Sequence, residues 1–274
     1  MLAAKLAGVK IRISHAHTNL ELGASRIKKI YFYIMRKLIK YFSTDFLACS
    51  NSAGKYLFGD SIVNNKKYKV LPNYVDYKKI IKCNDVTSIR LELGFNEDDI
   101  IVGHIGRFVD AKNHKFLIEV LNKIIKQDNH FKAVLVGDGP LKSNIQKQID
   151  DLGISNNVKL LGLRKDIDVI LNNCNLFIFP SIHEGLGLVL LEAQAAGLPC
   201  LVSEAIQPEA NLGIGLLNQL DLDEGVERLS SEALKIINKK NRNKEYIEKV
   251  FIEKGLELSS IIKTLLDVYK IKIN

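Results

Sequence analysis

The sequence predicts an α/β protein built on parallel sheets, with a doubly wound domain in its C-terminal half. Three observations carry this expectation. From Ile100 onward, short and continuously apolar segments alternate with amphipathic ones, the pattern of strands covered on both faces by helices. An earlier group of apolar segments is set apart from these by residues 78–99, which are charged and weakly periodic as a connector between domains is. The 274 residues are 47% hydrophobic and 26% charged, a balance that fills a core in one or two domains of roughly 100–200 residues each.

Residues 10–16 (KIRISHA) have the apolar run of a strand, with His15 and His17 at its end and expected on opposite faces. After a polar turn comes a helix over Arg26–Phe42. Its apolar residues Ile27, Ile30, Tyr31, Ile34, Met35, Leu38 and Tyr41 recur three or four apart, while Arg26, Lys28, Lys29, Arg36, Lys37 and Lys40 take the remaining positions. Phe46–Cys49 is a second strand, after which Ser50 and Ser52 are suited to cap a helix at Ala53–Leu57. Tyr68–Leu71 is a third strand, closed by Pro72 and Asn73. In the C-terminal half, strands at Ile100–Ile105, Ala133–Val136, Val158–Leu161, Leu176–Phe179 and Pro199–Val202 alternate with helices near His114–Lys126, Leu141–Asp151, Asp166–Asn172, Leu188–Ala196 and Glu224–Asn238. Lys244–Ile273 holds two more amphipathic helices. The expected division is a first domain over 1–80, a connector over 81–99, a second domain over 100–243, and C-terminal helices over 244–274 that pack back toward the first domain.

A formal net charge of +8 and a pI near 9.1 favour anionic partners: nucleic acid, an anionic membrane surface or a phosphorylated small molecule. No nucleic-acid-binding motif stands behind the first of these, so no nucleic-acid partner is expected. Cys49, Cys83, Cys174 and Cys200 are widely spaced and form no CxxC pair, so neither a zinc site nor a disulfide framework is indicated and a reducing cytoplasm is the simpler setting. The opening MLAAKLAGVKIRISHAH turns polar too soon for a signal peptide, and no stretch reaches the ~18 apolar residues of a membrane span. The basic helix Arg26–Phe42 offers two readings of equal weight: a peripheral contact with an anionic membrane, apolar side down, or packing on the N-terminal sheet with its lysines solvated.

The strongest chemical signal is His183-Glu184-Gly185-Leu186-Gly187-Leu188-Val189-Leu190-Leu191-Glu192, between the strand LFIFP and a helix ending at Gly197. With the helix starting near Gly187, the backbone N–H groups of Gly185, Leu186, Gly187 and Leu188 form an anion site reinforced by the helix dipole. Glu184 and Glu192 then reach different parts of one elongated ligand. The plainer alternative, a loop carboxylate, a solvated helix carboxylate and turn-forming glycines, is the better explanation of an isolated ExxxxxxxE. Its position at a strand's carboxyl end, where doubly wound sheets bind ligands, favours the site. Gly106-Arg107 ends the domain's first strand, and Lys112 precedes the next helix. Two cations there can bind a diphosphate and stabilise it as a leaving group, against the alternative of solvated loop charges. Val136-Gly137-Asp138-Gly139-Pro140 lacks a third glycine and follows the domain's second strand, so it reads as a turn with Pro140 at the first helical position rather than as a dinucleotide fingerprint. That leaves a dehydrogenase as a distant third reading. Asp166-Ile167-Asp168 has the spacing of a metal-binding pair, yet it starts a helix where carboxylates cap N–H groups, and no dedicated metal is expected.

The phrases ISHAHTN, DFLACSNSAGKYLFG, YKVLPNYVD, GHIGRFVDAKNHKFLIEV, LVGDGPLK, VKLLGLRKDI and LFIFPSIHEGLGLVLLEAQAAGLPCLVSE resemble, in order, those of family 4 retaining glycosyltransferases, most closely bacterial members that build capsular, exopolysaccharide or lipopolysaccharide glycans. The resemblance implies two Rossmann-like domains of GT-B type and a nucleoside-diphosphate-sugar donor in the C-terminal one. It further implies that Arg107 and Lys112, beside Gly106, hold the diphosphate. The 185–188 amides would hold phosphate and sugar, Glu184 the sugar, Glu192 the ribose hydroxyls, and Gly162 and Leu163 the base. The acceptor would be a glycan or a lipid-linked sugar, with no cofactor and no metal, at the cytoplasmic face of the plasma membrane. Against the family's pattern, Met1 starts at what looks like the helix after a histidine-bearing strand, so the first domain is expected to be incomplete. The chain is then a retaining glycosyltransferase or its donor-binding portion, expected to show little or no transfer alone; the alternative is a non-catalytic or degenerate nucleotide-sugar-binding module that needs a partner chain to supply the other half.

Overall fold

The computed structural model describes residues 1–17, 25–85, 87–241 and 243–270. The polar turn expected after His17, and the end of the last expected helix at Ile273, lie outside the described residues. The chain divides into two compact units: Met1–Tyr74 with Glu184–Leu186 and Gly255–Asn274, and Val75–His183 with Gly187–Lys254.

The first unit holds α1 (Leu2–Leu6), β1 (Ile13–Ala16), α2 (Arg26–Phe42), β2 (Asp45–Ala48), α3 (Asn51–Phe58), α4 (Asp60–Val63) and β3 (Tyr68–Val70). Its three-stranded sheet is parallel in the order β1-β2-β3. The helix Leu258–Tyr269 covers part of it, with Ile261 and Val268 clustered against Leu47 and Leu71. Ser50 caps α3, its hydroxyl accepting from the Ala53 amide at 3.2 Å, so Ser52 lies inside the helix and not at its cap. His15 and His17 correct the expectation of opposite faces: their ring centroids stand 4.3 Å apart, because residues two apart in an extended chain point the same way. Helix α2 begins and ends where its periodicity predicts and contains no buried residue. Its apolar stripe is exposed, from Ile27 at 81% to Leu38 at 40%, so the expectation that the stripe packs on the sheet is not met among the described residues.

The second unit holds α5 (Tyr77–Lys82), α6 (Ser88–Leu93), β4 (Ile100–Ile105), α7 (His114–Gln127), β5 (Phe131–Val136), α8 (Lys142–Asp151), β6 (Val158–Gly162), α9 (Ile167–Asn173), β7 (Leu176–Phe179), α10 (Leu188–Ala195), β8 (Cys200–Ser203), β9 (Leu217–Leu220), α11 (Gly225–Ile236) and α12 (Lys244–Glu253). All six strands are parallel, in the order β6-β5-β4-β7-β8-β9. The chain therefore winds outward one way from β4 and the other way from β7, and the crevice between these two strands' carboxyl ends is the topological switch point. Val102, Leu117, Leu121, Ala133, Leu135, Ile178 and Leu201 anchor the core.

Two expectations about organisation change. Residues 81–99 are not a loose connector: Ile81 and Ile89 are buried, as are Tyr77 and Ile80 just before, and Tyr77 stacks on Phe251 at 4.3 Å. The boundary falls at Tyr74, and the segment after it belongs to the second unit. The C-terminal helices are also divided, α12 with the second unit and the helix Leu258–Tyr269 with the first.

Candidate functional site

At the switch point the β4–β7 ladder is short, pairing Val102 with Leu176 and Gly103 with Phe177. Beyond it the Ile178 carbonyl accepts from the His104 ring, Nδ1 at 2.9 Å. Because a carbonyl only accepts, that nitrogen carries the proton and His104 Nε2 presents a lone pair. The loop leaving β4 is tied to the loop leaving β5: Gly106 N–H donates to Val136 O at 2.9 Å, Phe108 N–H to Asp138 O at 2.9 Å, and Leu141 N–H to Phe108 O at 3.1 Å. This lacing explains Gly137 and Gly139, whose φ values are 144° and 159°; a methyl at either would collide with the carbonyl of Gly106 or Phe108. They are backbone-approach glycines. Pro140 lies in the turn, two residues ahead of α8, and not at its first position.

Arg107 stands exposed on this loop, its guanidinium without a hydrogen-bond or ionic partner among the described residues. Lys112 ends a single 3-10 turn, Asp110–Lys112. Its methylenes lie 3.4 Å from where a Gly106 methyl would stand, and its ammonium is 4.5 Å from the Phe179 ring centroid. The Ile182 amide donates to Ala111 O at 2.8 Å, so the loops leaving β4 and β7 are joined beside the cation. Below them lie His104 and His114, both 1% exposed, with ring centroids 4.7 Å apart. Burial, then the neighbouring ring and Lys112, push His104 down to about 3. Burial, then Lys112, push His114 down to about 4. Both are uncharged at neutral pH. His104 Nε2 and both His114 nitrogens are buried without a hydrogen-bond partner.

Gly106 and Arg107 share a cavity of about 600 Å3 with Ile105, Val136, Leu163 and Ile167. Its walls are mostly aliphatic side chains and glycine backbone, with Arg107, Asp138 and Arg164 also in the lining. Leu163 is 80% exposed at its rim, and Gly162, at φ 65°, accepts from the Gly137 amide at 2.9 Å. Arg164, also on the rim, bonds Glu92 at 2.6 and 2.9 Å and Asp166 at 2.7 and 2.9 Å. Those bonds, Asp166 first, hold its guanidinium more firmly protonated than usual. Asp168 pairs with Lys79 at 2.7 Å. The Asp166/Asp168 pair is thus held in ion pairs, and Asp166 makes no side-chain capping bond to α9. Among the described residues, no group of three or more His, Cys, Asp or Glu is placed to hold a metal ion.

Helix α10 starts at Leu188, one residue later than the signal placed it, with Gly187 as N-cap in the left-handed region at φ 77°. The amides of Gly187, Leu188 and Val189 have no hydrogen-bond partner among the described residues. A turn into α10, Glu192 is partly buried, has no partner among the described residues, and burial raises its carboxyl above the ordinary range. Glu184, Gly185 and Leu186 cluster with the first unit, where the Ser50 hydroxyl donates to Gly185 O at 3.0 Å. Within the second unit the fold thus gathers Gly106, Arg107, Lys112, Gly162, Leu163, Gly187, Leu188 and Glu192 on the carboxyl edge of its sheet. The sequence reading passed over His104, His114 and Phe179 beneath that edge, and the Glu92–Arg164 pair at its rim. A polar residue inside an apolar strand was the available signal for His104.

Comparison with known proteins agrees with this geometry. Putative glycosyltransferase EpsF of Bacillus subtilis is 31% identical over 272 residues, 98% of this chain and 71% of the relative. An Escherichia coli UDP-Gal:alpha-D-GlcNAc-diphosphoundecaprenol alpha-1,3-galactosyltransferase is 28% identical over 286 residues, again 98% of this chain and 71% of the relative. In fold, the crystal structure of Anabaena HepE in complex with UDP superposes with a TM-score of 0.79 at 20% identity, over 98% of this chain and 74% of that one. The parallel sheets are therefore those of a GT-B glycosyltransferase. Residues 85–250, which contain the whole switch-point edge, match the family described as glycosyl transferases group 1, and this chain belongs to that family.

Proposed function

We propose that the protein is a retaining glycosyltransferase that moves a sugar from a nucleoside-diphosphate sugar to a growing cell-surface glycan, with its donor site on the carboxyl edge of the second unit's sheet. The observation that carries this reading is the convergence there of groups of the right kinds. An exposed guanidinium and a half-buried ammonium suit a diphosphate. Amides at the start of α10 suit a phosphate, and the partly buried Glu192 carboxylate suits vicinal ribose hydroxyls. The aliphatic cavity at Leu163 takes the base.

In mechanism, Arg107, Lys112 and the Gly187 and Leu188 amides neutralise the charge that grows on the departing diphosphate. The Gly187 and Leu188 amides are held by the fold before the reaction, so they cost little reorganisation when the glycosidic bond to phosphate breaks. These cations and amides do the work a divalent metal does elsewhere, and no added metal is required. Glu184 binds the sugar. The name of the Escherichia coli relative includes a diphosphoundecaprenol acceptor, which supports a lipid-linked acceptor here. The exposed stripe and six basic residues of α2, with no acidic residue among them, support peripheral contact with an anionic membrane. No described helix is long and apolar enough to cross one, and the setting proposed is the cytoplasmic face.

The test is calorimetry with UDP and GDP in the presence of a chelator, beside donor-dependent transfer to a lipid-linked acceptor. Binding of one nucleotide without metal is expected. Binding of neither, or of one only after magnesium is added, overturns the proposed donor chemistry.

A further inference from the structure

The floor of the proposed donor site breaks a rule that interiors otherwise keep. Three ring nitrogens, His104 Nε2 and both of His114, are buried without partners, although buried polar atoms are nearly always hydrogen-bonded. Phenylalanine or leucine there would remove the cost, and violations of this kind concentrate where a fold serves a function. The rings are also ordered. Phe177 stacks on Phe179 at 5.9 Å, His104 on Phe179 at 5.5 Å, and His114 meets both His104 and Phe108 edge to face at 4.7 and 4.6 Å. The Lys112 ammonium stands over the face of Phe179 at 4.5 Å.

We propose that Phe179, backed by the His104–His114 pair, is the positioning element for Lys112, its ring face fixing where the ammonium stands in the diphosphate site. A lysine has four rotatable bonds and a point charge, so its location must be set by something other than its own stem. Three restraints converge here. The backbone of Lys112 is held in a 3-10 turn whose Ala111 carbonyl accepts from Ile182. Its methylenes pass over Gly106, 3.4 Å from where a methyl there would stand. The ammonium then rests on a fully buried aromatic face, where the attraction between cation and ring quadrupole is stronger than in water. The histidines extend this aromatic bed while adding no charge, since both are neutral when the lysine is charged. A cation in their place would repel Lys112 from its seat.

This inference rests on the proposed diphosphate role of Lys112, and the experiment separates the two. Trifluorophenylalanine, placed at position 179 by codon suppression, keeps the ring's shape but cancels most of its quadrupole. Nucleotide affinity is measured by calorimetry, with whichever of UDP and GDP the wild type binds, in wild-type and Lys112→Met backgrounds. The expected result is about three- to tenfold weaker binding on fluorination when Lys112 is present, and no change when it is absent, with thermal stability unaltered. Fluorination that leaves affinity untouched, or weakens it equally in both backgrounds, overturns the seat. Lys112→Met binding as tightly as wild type overturns the diphosphate role itself.

Discussion

Glu192→Gln separates stability from function at a single carboxylate. In the free protein Glu192 is partly buried with no partner among the described residues, and burial raises its pKa. The folded state therefore holds the proton more tightly than the unfolded chain does. The resulting destabilisation is absent below the ordinary glutamate range near pH ~4.3. It grows as pH rises from there through the raised folded value, and it is complete above that value. An amide of the same shape removes the charge and with it roughly 1 kcal/mol of penalty, about 2–4 °C in Tm at neutral pH. At pH 4 the two proteins should melt together. Nucleotide binding moves the other way. A carboxylate accepting from two ribose hydroxyls loses about 1–3 kcal/mol when it becomes an amide, roughly 5- to 150-fold in Kd. The assays are thermal melts from about pH 4 to about pH 8 and calorimetric titration with UDP and GDP. A variant that is less stable at pH 7, or that binds nucleotide as well as wild type, would refute the reasoning, because Glu192 would then have a structural partner or face only water.

Further outcomes follow from the same geometry. Gly139→Ala should cost about 2–4 kcal/mol and reduce nucleotide binding with it, since the methyl meets the Phe108 carbonyl and φ lies outside the range alanine adopts; denaturant unfolding beside nucleotide titration checks both. Glu184→Ala should leave the affinity for free nucleoside diphosphate within about twofold while lowering the rate of sugar transfer at least tenfold; equal weakening of UDP or GDP in Glu184→Ala and Glu192→Ala would remove Glu184 from the sugar. Ile30→Glu with Ile34→Glu should weaken binding to phosphatidylglycerol-rich vesicles about tenfold or more with unchanged melting, because both side chains are already exposed. A fall in Tm for that double variant would show that the stripe is covered.

The second unit's strands and helices were legible to within a residue or two because parallel strands buried on both faces must be continuously apolar, as Leu176–Phe179 and Ala133–Val136 are. Strand β9 was not legible. Leu217-Asn218-Gln219-Leu220 pairs on one side only, with β8, and an edge strand can carry polar residues without penalty. The connector was misread because the buried Ile80, Ile81 and Ile89 sit among charges, so their hydrophobic signal averages away in any window. Arg107, Lys112 and Glu192 could be proposed from the sequence because strand ends and helix starts are local features. The roles of Gly137 and Gly139 could not, because the carbonyls they admit belong to residues about 30 positions earlier in the chain. The same holds for Phe179 under Lys112, a contact set by which strands are neighbours and invisible until the sheet order is known.

The brevity of the β4–β7 ladder has a consequence for motion. Where β4 and β5 pair along six residues, β4 and β7 pair along two, and above that point the strands are joined by the His104 side chain and the Ile182–Ala111 bond. Amide hydrogens around 103–112 and 176–182 should therefore exchange with solvent sooner than those of β5, through local opening that leaves the rest of the sheet closed. A nucleotide bridging the two loops would suppress that opening, so protection would appear along this seam first and could be followed by deuterium uptake without any assay of turnover.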